Sequence, residues 1–170
     1  FYLNRCATLL NMFLMATYGE GQYVEAYYDQ QIYLNHKLIE DKQLDLADVQ
    51  EKAAGFLVQF SGVNEVYSAN RLLLGSWSPK TDLIRKGFHR QRSGDLLIEI
   101  LPGWTLMHED GSVQQTVRAA NVPTPLILLG TGISAETIRI PVNATRIAPT
   151  LSGAMRIRAP NACTEASLDL

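Results

Sequence analysis

The strongest constraint in this sequence is a helical repeat followed by β-type patterning. Leu46, Val49, Ala53, Phe56, Leu57 and Phe60 stand at i, i+3, i+7, i+10, i+11 and i+14, so one side of a helix over residues 45–60 must be covered. Asp45 is the expected N-cap, and Asp48 falls in the first turn, where a carboxylate favours the positive end of the helix dipole. Ser61-Gly62 closes the segment.

Upstream, Leu3, Ala7, Leu10, Phe13 or Leu14, and Ala16 recur at helical spacing until Gly19 and Gly21, giving a helix that is apolar over a wide face. Between the helices, Tyr23, Val24, Tyr27, Tyr28, Ile32 and Tyr33 predict two strands with a turn near Asp29. Residues 63–68 read as a strand and 70–74 as one helical turn. Pro79, Leu83, Ile84 and Phe88 suggest a short helix, and residues 94–101 a strand ended by Pro102-Gly103. The order strand, strand, helix, strand, helix, strand favours an α+β lobe with a mostly antiparallel sheet.

Residues 104–122 read as polar and irregular, with His108-Glu109-Asp110-Gly111 the most loop-like point. Residues 125–129 (Pro-Leu-Ile-Leu-Leu) are a continuous apolar run, the mark of a strand covered on both faces, and residues 137–142 are a second strand-like stretch. Ile147, Leu151, Ala154 and Met155 then give helical spacing across Pro149, which the first turn tolerates.

With 46% apolar and 19% charged residues, 170 residues suffice for a real core, or form an incomplete piece of a larger one. Fifteen Lys plus Arg against 17 Asp plus Glu leave a net charge of -2, without the basic face that nucleic acid or anionic lipid requires. No apolar run is long enough to span a bilayer, and no export signal is visible. The chain opens at Phe1 inside a helical pattern, as a processed or truncated polypeptide would.

Chemistry-bearing residues are sparse. His36, His89 and His108 are too far apart in sequence for one helix or hairpin to present two of them to a metal. Cys6 and Cys163 lie at opposite ends; they read as two free buried thiols, with one disulfide as the alternative. No Gly-x-Ser-x-Gly turn exists; Ser93, just before a strand, reads as a turn residue with Asp95 rather than a nucleophile. Lys86, His89, Arg90 and Arg92 form one cationic group and Arg146, Arg156 and Arg158 another. Either could hold a phosphate, and solvated faces are the plainer reading. Gly130-Thr131-Gly132 lacks the third glycine of a dinucleotide loop, and Asn143-Ala144-Thr145 fits a glycosylation sequon. The residues by themselves show no active site.

Several stretches, in order across nearly the whole chain, resemble the alkaline phosphatase superfamily, most closely bacterial zinc-dependent alkaline phosphatases and type I phosphodiesterase or nucleotide pyrophosphatase-like proteins. They are residues 11–19 (Asn-Met-Phe-Leu-Met-Ala-Thr-Tyr-Gly), 31–35 (Gln-Ile-Tyr-Leu-Asn), 87–95 (Gly-Phe-His-Arg-Gln-Arg-Ser-Gly-Asp), 125–130 (Pro-Leu-Ile-Leu-Leu-Gly) and 147–151 (Ile-Ala-Pro-Thr-Leu), with 157–161 (Ile-Arg-Ala-Pro-Asn) behind. The resemblance implies an α/β fold: the C-terminal portion of a hydrolase, with residues 1–22 a helix of the main domain, 23–103 an α+β insertion lobe and 104–170 the last strands and helix of the main sheet domain.

It also implies that the nucleophile and most ligands of two zinc ions come from a preceding N-terminal portion, so no catalytic residue and no zinc cage is expected here. One family ligand, a His shortly before the Pro of the 125–129 strand, is expected within this span. Residues 111–115 hold no histidine, and His108 is the substitute candidate a few residues early. The expected partners are the N-terminal catalytic portion, a phosphate ester for the parent, and a second copy in a homodimer, with no nucleic acid and no membrane span. The expected location is the periplasm or the exterior. The other reading is a non-catalytic interaction module or degenerate domain, suggested by the missing His and the wide apolar face of the first helix.

Overall fold

The computed structural model describes residues 1–75, 78–118, 123–131 and 133–169, and the chain divides into two compact units, Phe1–Ala120 and Asn121–Leu170. In the first unit the elements run α1 (Leu3–Tyr18), β1 (Val24–Tyr28), β2 (Gln31–Leu34), α2 (His36–Asp41), α3 (Leu46–Leu57), β3 (Val63–Ser68), α4 (Ala69–Leu74), α5 (Pro79–Gly87), β4 (Leu96–Ile100), β5 (Thr105–Met107) and β6 (Val113–Thr116). The sheet is antiparallel with order β1-β2-β4-β3, so the mixed fold class expected from the element order is the one observed.

Periodicity decides which faces meet. Helix α1 buries Cys6, Ala7, Leu10 and Leu14, and α3 buries Val49, Gln50, Ala53 and Leu57. Both pack on the sheet face carrying Leu96, Ile98 and Ile100 of β4 and Ile32 of β2. The two helices are joined by stacked Phe13 and Phe56 rings, 4.4 Å apart and 8° from parallel. Gly19 ends α1 at φ 88, a backbone region glycine enters without steric cost.

Side-chain caps start the remaining helices. Asp45 accepts from Ala47 N–H as expected, while Asn35, Ser68 and Ser78 accept from Leu38, Arg71 and Thr81 N–H. Helix α2 escapes a periodicity search because its six residues bury only Ile39. The turn at Asp29-Gln30 holds both residues at positive φ, 44 and 64, the pattern of a two-residue hairpin loop.

Residues 104–122 are not uniformly irregular. β5 and β6 pair as a hairpin whose turn is the His108 to Ser112 stretch. The hairpin lacks a sequence signal because β5 is three residues long and β6 is exposed at every position. Met107 N–H donates to Phe1 O, and Gly62, at φ +94, lies under the Trp104 ring.

The second unit holds a short 3-10 turn, Ala144–Arg146, and α6 (Ile147–Ala154), with Pro149 in its first turn as expected. Residues 125–129 and 137–142, read as strands, form none among the described residues. A strand needs a neighbour for its backbone N–H and C=O groups, and none of the described residues provides one. Gly132 lies outside the described residues.

Candidate functional site

The most organised polar group converges on Asp95, the residue preceding β4. Its carboxylate is 10% exposed and accepts from Leu34 N–H at 2.8 Å, Gln50 Nε2 at 2.8 Å and His36 Nε2 at 2.8 Å. Gln50 in turn accepts from Asn70 N–H through Oε1, and the Asp95 carbonyl accepts from Ala69 N–H. One buried carboxylate thus ties the end of β2 and the starts of α2 and α4 to the middle of α3. A buried charge is tolerable only when its lone pairs are filled in this way.

An ionised carboxylate can only accept, so in this contact His36 Nε2 is the donor. The His36 side chain is 60% exposed at the mouth of a cleft of about 840 Å³ that Tyr33, Asn70, Phe88, Arg90 and Ser93 also line. A carboxylate-oriented imidazole suits general-base or metal-ligand work, and either needs a further group. Among the described residues none is supplied: His36 has no other hydrogen-bond partner, and Ser93 Oγ accepts from His89 N–H.

A second polar group lies on β3 and β4. Glu65 and Glu99 face each other directly across the strands, a pairing that repels when unscreened. Lys80 of α5 sits 3.4 Å from Glu65 and 2.7 Å from Glu99, Arg71 of α4 is 2.8 Å from Glu65, and Tyr67 O–H donates to both carboxylates. The hydrogen bond from Tyr67 holds the Glu65 carboxyl below its usual range, while burial, then the bond to Glu65, pushes the Tyr67 phenol up to about 12. Every charge here is spent on another, so the group fastens α4 and α5 to the sheet.

The other sequence candidates are placed singly. His89 Nδ1 accepts from Gln91 N–H in the loop after α5, and His108 is exposed in the β5–β6 turn, its N–H donating to Ser112 O. Tyr27 O–H donates to the neighbouring Glu109. No two of the three histidines meet, and among the described residues no group of three His, Cys, Asp or Glu could hold a metal ion. A zinc cage does not fit the donors present.

Lys86 pairs with Asp82, and Arg92 O accepts from Tyr33 O–H. Arg146 donates to the carbonyls of Ala166 and Ser167. Ser93 N–H donates to His89 O, as a turn residue should. Asn143 of the sequon caps the 3-10 turn by accepting from Thr145 N–H.

Both cysteines are free thiols; Cys6 is buried, and burial pushes it up to about 11, whereas Cys163 is half-buried rather than buried. Sequence reasoning missed the convergence on Asp95, because Leu34, His36 and Gln50 lie far from it in sequence and reach it only through the packing of β2, α2 and α3. The one available signal was an acidic residue entering an apolar strand.

Fold and sequence are both similar to a segment of an alkaline phosphatase. The chain is 25% identical over 163 residues to alkaline phosphatase PafA of Elizabethkingia meningoseptica, a match covering 95% of this chain and 30% of that protein. It is 26% identical over 156 residues to a Myroides odoratus protein named calcium-transporting ATPase, covering 89% of this chain and 28% of the other.

The crystal structure of wild-type PafA superposes with a TM-score of 0.78 at 24% identity, covering 96% of this chain and 32% of that one. A PafA variant carrying four substitutions superposes with a TM-score of 0.75 at 25% identity, covering 95% and 31%. No family model matches the chain. The chain therefore spans about a third of the length of the relatives it matches. Among the described residues, no helix is long and apolar enough to cross a membrane.

Proposed function

We propose that this chain is the C-terminal, non-catalytic portion of a metal-dependent phosphohydrolase of alkaline phosphatase type. The observation that carries this reading is the match to PafA over 95% of the chain but only 30% of that enzyme, in a segment whose described residues form no metal-holding group. The first unit serves as a lobe whose Asp95 hub and Glu65-Glu99-Lys80 cluster hold its helices against the sheet. Residues 123–169 belong with the main sheet domain. The nucleophile and the zinc ions, which would stabilise charge on the transferred phosphoryl group, reside in the remaining portion. The parent acts on a phosphate monoester or diester, outside the cytoplasm.

The test is phosphate release from an aryl phosphate monoester and from a diester. The 170-residue chain with added zinc should release none, whereas the complete parent should hydrolyse one of the two and lose that activity to a chelator. Zinc-independent hydrolysis by the 170-residue chain, or inactivity of a folded, zinc-loaded parent on both esters, would refute the reading.

A further inference from the structure

The cleft over the Asp95 hub holds polar side chains that the fold leaves unused. About 840 Å³ in volume, it is bounded by the starts of α2, α3 and α4 and by the 88–93 loop, all within the first unit. Among the described residues, the side chains of Asn70, Arg90 and Gln91 make no hydrogen bond or ion pair, and the Ser93 hydroxyl has no acceptor. Polar groups that converge on a cleft without serving the fold mark a place for a ligand.

Arg90 is the member of the basic 86–92 stretch that lines this cleft. Lys86 is paired with Asp82, and His89 Nδ1 accepts from Gln91 N–H. The loop carrying Arg90 is closed on itself. Arg92 and Ser93 N–H donate to His89 O, His89 N–H donates to Ser93 Oγ, and Tyr33 O–H fastens the loop to β2 through Arg92 O. At the mouth, Asp95 holds the His36 ring in one orientation. A cation presented from a closed loop loses less freedom on binding than one presented from an open loop.

The unused groups are rich in donors. Arg90 donates and cannot accept, Asn70 and Gln91 each bring an amide NH2, and Ser93 brings a hydroxyl proton, so their complement is an oxyanion. Two acids in the same lining decide its charge. Glu25 is exposed and, among the described residues, unpaired, while Asp45 accepts from Ala47 N–H with one oxygen only. Asp95 is already filled by three donors. One permanent cation beside two free carboxylates disfavours a doubly charged phosphate head more than a singly charged carboxylate, and a planar carboxylate matches the guanidinium fork. The rest of the lining is apolar, with Leu46 and Phe88 half-buried and Leu73 exposed, and it suits an apolar body behind the head.

We propose that this cleft binds a small organic monocarboxylate. Arg90 grips the carboxylate, Asn70, Gln91 and Ser93 supply further donors, and the apolar body lies against Leu46, Leu73 and Phe88. Binding needs only residues of Phe1–Ala120 and is independent of hydrolysis by any parent enzyme.

Backbone amide NMR of the 170-residue chain, titrated with 3-phenylpropionate, tests it. The amides of residues 36, 70 and 88–93 should shift saturably with a Kd at or below about 1 mM, a range open to a ligand of this size. Arg90→Gln should weaken binding at least about 10-fold. It should leave the amide spectra of α3 and β4 in place, because the Arg90 side chain is exposed and bonds to no other described residue. Glu25→Gln should tighten phenyl phosphate more than 3-phenylpropionate, since a dianion gains more from the loss of one negative charge.

The absence of a saturable shift by about 10 mM ligand would overturn the proposal. So would shifts confined to residues outside the cleft, or undiminished binding by Arg90→Gln. Phenyl phosphate or phenethylamine binding the native chain as tightly as 3-phenylpropionate would also overturn it, because the cleft would then not be selecting a carboxylate.

Discussion

Leu10 and Leu129 are the same residue type in apolar stretches of the same chain, yet one is 0% and the other 97% exposed. In Phe1–Ala120, two helices and a four-stranded sheet each supply an apolar face to the others, so the core closes on itself. In Asn121–Leu170, the described residues form one short helix and no strand of that unit's own. Hydrophobicity states that a residue must be covered; only a second element states by what.

The largest effect that would sharpen this contrast is Leu10→Ala. Removing a side chain with no exposure leaves a cavity and should cost about 2–5 kcal/mol in urea-induced unfolding. A loss below 1 kcal/mol, on the order of a surface change, would show that the first core is not closed.

Next comes Asp95→Ala, which leaves Leu34 N–H and the Gln50 amide buried without their acceptor and should cost about 2–3 kcal/mol. His36→Ala, which removes only an exposed donor, should cost less than about 1 kcal/mol. Equal losses in the two variants would mean that His36, rather than the buried amides, stabilises the hub.

Tyr67→Phe is smaller, about 1 kcal/mol near neutral pH, the net worth of a typical hydrogen bond. Its pH dependence is more specific. The folded phenol is raised to about 12 from an unfolded value near 10, so its contribution is whole below pH 10 and fades as pH climbs through about 12. Stability curves of wild type and Tyr67→Phe should therefore converge between those pH values, and parallel curves would remove the phenol from the cluster. The smallest effect belongs to Leu129→Ala, within about 0.5 kcal/mol in the 170-residue chain. A cost like that of Leu10→Ala would break the comparison outright.

Much of the first unit was legible because its signals are local. The spacing of Leu46, Val49, Ala53 and Leu57 matches the buried face of α3, with Phe56 half-buried against it, and Asp45 caps as its position before that run predicts. The alternation in β4 between buried Leu96, Ile98, Ile100 and half-buried Leu97, Glu99 follows from the two-residue period of a strand. The β5–β6 hairpin was not legible, since Val113 to Thr116 carry no buried face to betray a strand. The site was less legible still: His36 stood alone in the sequence and His89 within a cationic group, and of the two only His36 has a buried carboxylate behind it.

The sequence by itself determined helices α1 and α3, strands β1 to β4 and the short helices α4 and α5 of the first unit, because periodicity, capping and residue type act over a few neighbours. Tertiary structure alone decided that Asp95 gathers Leu34, His36 and Gln50, and that Lys80 separates two opposed glutamates. It also decided that the apolar run at 125–129 stands bare. Those outcomes depend on which distant segments become neighbours, and the free energy of a buried charge or an apolar surface is set by its neighbours rather than by its place in the chain.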